Sequence, residues 1–295
     1  MSLPSPLSRA LHQALGAPPR NVRAMHGGDI NRAARFQASE GTYLVKWNPA
    51  PLPGMFAAEA KGLVLLAEAQ AIRVPKPFVH AARTDGCPAY LVMEWIEPAG
   101  SGHGQHAAGI TLGRGLAEQH RVTAPAYGLD HDNYCGSTRQ ANDRLDSWIE
   151  FYGQRRLGFQ MELAAEQGRL PPARRKRLEL LIARLDRWID ENAAQPSLLH
   201  GDLWGGNWMI ASRGEPVIYD PAVYFGDREA ELAMCHLFGG FPSSFFRAYD
   251  ESWLPAPGRD ERVPLYQLYH LLNHLNLFGE SYGRRVDGVL RHYVG

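Results

Sequence analysis

Two short stretches constrain this chain more than anything else in it: His200-Gly201-Asp202-Leu203-Trp204-Gly205-Gly206-Asn207 and Ile218-Tyr219-Asp220-Pro221. They set a carboxylate, a side-chain amide five residues on, and a second carboxylate thirteen residues further along. The apolar runs beside them, Leu198-Leu199 and Val217-Ile218, are too short for helices and read as strands interrupted by a tight glycine-rich loop. A polar turn between strands needs Gly, Asn or Asp, but it does not need them in this order at this spacing. Three oxygen donors arranged in this way suit phosphoryl transfer. Asp202 can accept a hydrogen bond from an attacking hydroxyl and take its proton late, while Asn207 and Asp220 offer hard oxygens to Mg²⁺ on nucleotide phosphates.

Such a reaction needs groups that hold the phosphates, and the first third of the chain offers them. Lys46 lies in the strand-like run Thr42–Asn48, thirteen residues before Glu59 on the next helical segment. That pairing matches the lysine and glutamate that hold α- and β-phosphates in kinases. A lone strand lysine is usually an exposed edge charge, and a lone helical glutamate a solvated one. Alanines at 57, 58 and 60 leave Glu59 as the only acid on its turn, with Glu68 the other choice further along. Upstream stands Gly27-Gly28-Asp29-Ile30-Asn31. Glycine lets backbone N–H groups approach anionic oxygens closely, so Gly27, Gly28 and Asp29 are candidates for a loop over the phosphates. The pattern departs from G-x-G-x-x-G, and its place ahead of Lys46 argues more than its composition. Between the two parts of the chain, Leu91–Glu97 turns from apolar to polar. Backbone groups of Glu94 and Ile96, with Trp95 between them, are placed to pair with an adenine edge, and Met93 to pack the back of that pocket.

Two lobes are expected. Residues 1–97 read as strands with one helix: a hairpin turning at Glu40-Gly41, a helix over 55–70, and a second strand pair from Pro77–Arg83 and Pro88–Glu97. After residue 97 the pattern becomes mainly helical, over 105–121, 144–160, 173–191, 227–238 and 261–279. The expectation is an α+β, bilobal, protein-kinase-like fold, with a nucleotide-binding lobe at 1–97 and a catalytic and substrate-binding lobe at 98–295. Thirty-one basic residues balance thirty-one acidic ones among 295 residues, so no broad field exists for nucleic acid or an anionic membrane. Three scattered cysteines without a C-x-x-C pair argue against a disulfide framework or a zinc site and fit a reducing cytoplasm. No run of eighteen apolar residues occurs, and the N-terminus does not read as a secretion signal.

Taken together, these residues resemble the kinase-like superfamily of small-molecule phosphotransferases, in its aminoglycoside and choline kinase branch, and most closely its fructosamine kinase (ketosamine-3-kinase) family. The resemblance is carried by GGDIN at 27–31, MFAAEAKGLVLL at 55–66, DNYCGSTRQAN at 132–142, LLHGDLWGGNWM at 198–209, VIYDPAVYFGDREAELAM at 217–234, and the later runs FGGFPSSFFRAY and LYQLYHLLNHLNLFG. Trp204 stands where aminoglycoside kinases usually carry His-Pro. The resemblance implies ATP with Mg²⁺ and transfer of the γ-phosphate to the C3 hydroxyl of a ketosamine, free or on a glycated protein, in deglycation repair. By position it implies Asp202 as catalytic base, Asn207 and Asp220 as metal ligands, and Lys46 with Glu59 as the phosphate-holding pair. Gly201 replaces the arginine of the protein-kinase H-R-D, and Gly226 follows only six positions after Asp220, so no phosphorylation-gated segment is visible. Constitutive activity is expected.

For the acceptor, Trp204 could present an aromatic face to a sugar or its alkyl arm, with core packing as the alternative. Asn133 and Tyr134, in the polar run 132–140, are candidate pocket walls, with a purely structural loop as the alternative. His200 is expected to support the catalytic loop, and His270 with His274 to share a helix face without forming a ligand pair. Two rival readings remain: a kinase of another hydroxylated amine, such as an aminoglycoside or a choline-like compound, and a nucleotide-binding module without catalysis.

Overall fold

The structure, a computed structural model, describes residues 2–25, 30–39, 41–100 and 104–295. Gly27, Gly28 and Asp29 lie outside the described residues, as does Glu40 of the expected hairpin turn.

The N-terminal region is a five-stranded antiparallel sheet of β1 (Arg20–Met25), β2 (Arg32–Ala38), β3 (Gly41–Asn48), β4 (Pro77–Ala81) and β5 (Ala89–Glu94), in the order β1-β2-β3-β5-β4. Two helices cover its faces. Helix α1 (Ser5–Leu15) buries Leu7 and Leu11 against Phe36, Val45 and Trp47. Helix α2 (Met55–Glu68) packs Phe56, Leu63 and Leu66 on the opposite side, with Leu91, Met93 and Leu44. Side chains alternate along a strand, so Val45 and Trp47 take the α1 face while Leu44 and Lys46 take the α2 face. That alternation is what brings the Lys46 ammonium to α2.

The remainder is mainly helical. Helix α3 (Gln105–His120) is followed by a short hairpin of β6 (Asn133–Cys135) and β7 (Thr138–Gln140). Helix α4 (Trp148–Phe151) passes through a π-helical stretch, Tyr152–Gly158, into α5 (Phe159–Glu166), and α6 (Pro172–Ile182) follows. Four three-residue strands come next: β8 (Ser197–Leu199), β9 (Trp208–Ile210), β10 (Pro216–Ile218) and β11 (Tyr224–Gly226). Helices α7 (Arg228–Leu237), α8 (Ser243–Ser252), α9 (Arg259–Phe278) and α10 (Gly283–Val294) complete the chain.

Strand β8 pairs with β11 and β9 with β10, both antiparallel. This nests the loop 200–207 beside the loop 219–223: Tyr219 N donates to Asn207 O at 3.0 Å, and Ala222 N to His200 O at 2.8 Å. Around the crossover, Arg73 binds the carboxylates of Glu94 (2.7 Å) and Glu215, and its carbonyl accepts from Ile218 N at 3.1 Å. One residue near the start of the chain thus reaches both parts of the fold.

Several element boundaries differ from expectation. The helix expected over 173–191 ends at Ile182, because Arg184 leaves helical geometry (φ −130°, ψ 20°) before a single 3-10 turn, Leu185–Arg187. Its periodicity survives because Leu185 and Ile189 still bury in the same core. The helix expected over 144–160 starts only after Ser147, whose side chain caps Glu150 N, and runs on to Glu166. Among the described residues, no helix is long and apolar enough to cross a membrane.

Candidate active site

Three of the predicted groups meet where the α2 face of the sheet approaches loop 219–223. Lys46 Nζ lies 2.7 Å from Glu59 Oε1 and also contacts the Asp220 carboxylate. Burial alone would lower the lysine's pKa, but the Asp220 and Glu59 carboxylates outweigh it and hold the ammonium above its ordinary value. Glu59 is raised, chiefly by burial, against the pull of Lys46. Asp220 itself sits in the left-handed region (φ 58°), which an aspartate tolerates better than a branched residue and which aims its carboxylate at Lys46.

Asn207 is anchored by its own amide. Its Nδ2 donates to Asp202 O at 2.8 Å and lies 3.3 Å from Asp202 Oδ2, which leaves the amide oxygen as the free end. Asp202 and Asn207 are therefore positioned as a unit. Desolvation, reinforced by the nearby negative charge of Asp220, pushes the Asp202 carboxyl up to about 8. A carboxylate poised near neutrality suits a group that must exchange a proton at working pH.

The loop carrying these residues is fixed from beneath. His200 donates Nε2–H to Tyr219 O at 2.9 Å, while its Nδ1 faces Asp202 N at 3.3 Å, so the ring bridges both loops in the neutral form that its burial favours. Gly201 has φ +84°, and a Cβ there would stand 2.0 Å from Ala222 O, so no side chain fits where protein kinases carry arginine. Below it lies a group that sequence reasoning missed. Glu231, 2% exposed on α7, accepts from His200 N at 3.0 Å and Gly201 N at 2.7 Å, and pairs with His120 Nε2 at 3.0 Å. His120 Nδ1 in turn meets Tyr249 OH at 2.8 Å. Burial opposes the charge on Glu231, yet the hydrogen bonds from His120 and the His200 amide hold its carboxyl below the ordinary range. A lone glutamate on a helix offers no sequence signal for this task. Asp227 and Glu229, just beyond loop 219–223, serve structure: Asp227 caps α7 and accepts from Tyr266 OH, and Glu229 pairs with Arg262.

At the crossover the structure narrows the choice of base-pairing groups. Glu94 N donates to Lys76 O at 2.8 Å and Trp95 N to Thr42 O at 3.3 Å. The Trp95 ring donates to Glu97 Oε2 at 2.7 Å, beneath the guanidinium of Arg35. Neither Glu94 nor Trp95 thus has a donor to spare; the Ile96 amide has no partner among the described residues. Met93, 1% exposed, packs between sheet and α2.

On the acceptor side one expectation is corrected. Asn133 is 3% exposed, with Nδ2 bound to Val223 O at 2.7 Å and Oδ1 accepting from Gln140 and Asn142. Its buried amide is mostly committed to bracing loop 219–223, with both oxygen lone pairs and one N–H taken. Tyr134 is likewise engaged, its hydroxyl donating to Pro53 O at 2.7 Å. Trp204 is 40% exposed, which removes the core-packing alternative. Its ring folds over Gly206 and meets Phe238 edge-on at 6.5 Å, and Phe238 continues through His274 to Phe278 and Tyr282. Helix α9 separates its two histidines: His274 joins that aromatic row, while His270 turns toward Asp202 and Cys135.

Comparison with known proteins places this geometry among relatives. A family model described as fructosamine kinase matches residues 5–294. A chain named probable ketoamine kinase from Synechocystis sp. is 40% identical over 290 residues, covering 97% of this chain and 95% of its own. The protein-ribulosamine 3-kinase, chloroplastic, of Arabidopsis thaliana is 39% identical over 275 residues, covering 92% and 82%. Among solved structures, one from Thermobifida fusca with a fructosamine-3-kinase assignment superposes with a TM-score of 0.86 at 31% identity, over 98% of each chain.

Proposed function

We propose that this chain, which belongs to the fructosamine kinase family, is an ATP-dependent phosphotransferase that phosphorylates the C3 hydroxyl of ketosamines, free or on glycated proteins. The observation that carries this reading is the meeting of Lys46, Glu59 and Asp220 in one ion cluster, with the Asp202–Asn207 unit held on the adjoining loop. The nearest rival, a kinase of some other hydroxylated amine, shares that cluster and is distinguished only by its acceptor. A module without catalysis would be expected to lack one of these groups, and none is missing.

The residues fit a magnesium nucleotide. Asn207 has its amide nitrogen tied to Asp202, so its oxygen is the end available to a cation, and Asp220 adds a carboxylate: a hard-oxygen pair of the kind Mg²⁺ takes. Bound there, the ion would neutralise charge developing on the transferred phosphoryl group. Lys46, held upright by Glu59, supplies a fixed positive charge for the non-transferred phosphates. The Ile96 amide supplies a donor for the base. Asp202 orients the acceptor hydroxyl; as its oxygen bonds to the γ-phosphorus and the bond to the β-phosphate oxygen breaks, the hydroxyl proton passes to the Asp202 carboxylate. The exposed face of Trp204 gives the sugar or its alkyl arm an apolar shelf. Phosphate at C3 leaves far more readily than hydroxide, so the product can decompose and release the amine, which accounts for a role in deglycation.

The division between nucleotide-binding and catalytic lobes at residue 97 is supported by the end of β5 at Glu94 and by the bond from Ala99 N to Ile210 O at 2.8 Å just beyond it. The three free cysteines support a reducing, cytoplasmic setting. The test is ADP release in the presence of ribulosamine, fructosamine and aminoglycoside acceptors. Turnover with the ketosamines and a 3-phosphate product is expected; phosphorylation of the aminoglycoside alone would overturn the substrate assignment.

A further inference from the structure

Two side chains that the reaction above does not use, Cys135 and His270, gather beside Asp202 on the catalytic loop. Cys135 at the end of β6, Asp202 and His270 on α9 come from three separate elements, yet one donor atom from each lies within 4.8 Å of the other two. Cys135 is 2% exposed and His270 4%. The His270 ring has no hydrogen-bond partner among the described residues, and its Nδ1 is fully buried. A buried ring nitrogen without a partner costs free energy, and among the described residues most buried polar side chains do find one. Desolvation holds this imidazole neutral, with its pKa lowered to about 3, so it offers a lone pair and no charge. Cys135 is aimed by Asn273, whose Nδ2 lies 3.4 Å from Sγ and 3.3 Å from the carbonyl.

We propose that Cys135, Asp202 and His270 form a binding site for a thiophilic divalent cation of the zinc class, and that its occupation silences the enzyme by capping the catalytic carboxylate. The donor kinds carry the choice of metal. Thiolate, imidazole and carboxylate are the three ligand types of zinc sites, whereas Mg²⁺ is a hard cation that takes oxygen and binds sulfur poorly. Charge carries the burial. A dication with one thiolate, one carboxylate and one neutral imidazole sums to zero, so the set can lie in a low-dielectric pocket without an uncompensated charge. Binding releases the thiol proton of Cys135 and, when Asp202 holds one, its carboxyl proton as well. Zinc bonds of about 2.0–2.3 Å require the three donors to close by about 1 Å, within reach of side-chain rotation. Water would complete four ligands.

The functional consequence rests on the reading of Asp202 as base: a carboxylate bound to zinc cannot take the acceptor's proton. Lys46, Glu59 and Asp220 are not among the donors, so inhibition should compete with the acceptor and leave nucleotide binding intact.

Two measurements on the full chain separate the site from that reading. The first is titration of the metal-free protein with Co²⁺, reading the near-ultraviolet thiolate-to-metal absorption band. The wild type should show it; Cys135→Ser should lose it, and His270→Gln should weaken Co²⁺ binding at least about tenfold, the scale on which loss of a ligand or its support lowers metal affinity. No band in the wild type, or an equal band in Cys135→Ser, would overturn the proposal. The second is turnover at saturating MgATP and buffered free Zn²⁺, each variant normalised to its own zinc-free rate. Competition with the acceptor in the wild type, weakened at least about tenfold in either variant, supports the proposal. If Cys135→Ser does not fold, His270→Gln carries both tests. A cobalt band with turnover undiminished by zinc would keep the site but overturn the silencing, and with it the role of Asp202 as base.

Discussion

The two sides of the cleft are built on opposite plans. On the nucleotide side the charges that gather at the site are answered within the protein: Lys46 by Glu59 and Asp220, and Arg73 by Glu94 and Glu215. On the acceptor side, groups are left unspent, with Trp204 and Phe278 exposed and His270 without a partner. The difference follows from what each side must recognise. A triphosphate is the same in every turnover and rewards a rigid array of charges, which costs little reorganisation when phosphate enters. A sugar on a variable amine offers hydroxyls and an alkyl arm, and is met by aromatic surface and adaptable polar groups.

Substitutions can break this contrast in order of expected effect. Asp202→Asn should lower kcat by about 10³-fold while leaving ATP affinity within about threefold, because the base touches the acceptor proton and not the nucleotide. Steady-state kinetics with a separate nucleotide-binding titration decide it, and an unchanged kcat would remove Asp202 from its role. Glu231→Ala should cost about 3 kcal/mol of stability, since it leaves two loop amides and His120 buried without their acceptor. Denaturant unfolding measures that loss. Glu231→Gln, which keeps one oxygen acceptor, should recover part of both stability and kcat. On the nucleotide side, Lys46→Met should reduce kcat/KM for ATP by roughly 10–100-fold with little change in acceptor KM. Trp204→Ala should do the reverse, raising acceptor KM by about 3–10-fold and leaving ATP KM alone. If both variants moved both constants equally, the two sides would not be independent.

The smallest effect concerns acid. Burial holds His120 neutral in the folded chain, below its ordinary value of 6.5, whereas the unfolded chain protonates freely. The unfolded state therefore binds the extra proton, so this contribution to stability is present above about pH 6.5 and is lost as pH falls below it. His120→Gln cannot titrate, and its deficit in Tm against the wild type should shrink between pH 7.5 and pH 5. A constant deficit would show that His120 does not titrate on unfolding.

The gathering of the candidate residues was more legible in the sequence than the groups that support them. Lys46 and Glu59 could be paired because a strand followed by a helix brings residues at that spacing together, and the order Asp202, Asn207, Asp220 belongs to one kind of loop pair. The hairpin of β2 and β3 was readable from its alternation, and α2, α3 and α9 from their periodicity. Helices α1, α8 and α10 were not foreseen, although Leu7 and Leu11, Phe245 and Tyr249, and Val286 and Leu290, lie four residues apart on faces that bury. Asn133 was misjudged for a different reason. A polar residue in a polar loop looks the same whether its amide faces a ligand or is consumed by Val223, Gln140 and Asn142.

The chain's sequence by itself determined which atoms could take part in the reaction, because a carboxylate, an amide and an ammonium carry their chemistry wherever they lie, and local spacing sets their order along the loops. Only the tertiary structure decided the company those atoms keep. Glu231 reaches beneath the loop from thirty residues away, His270 approaches Asp202 from α9, and the Asp202 pKa rises through burial and the charge of Asp220. Desolvation and electrostatic coupling are properties of distance in space, and the order of residues along the chain does not contain them.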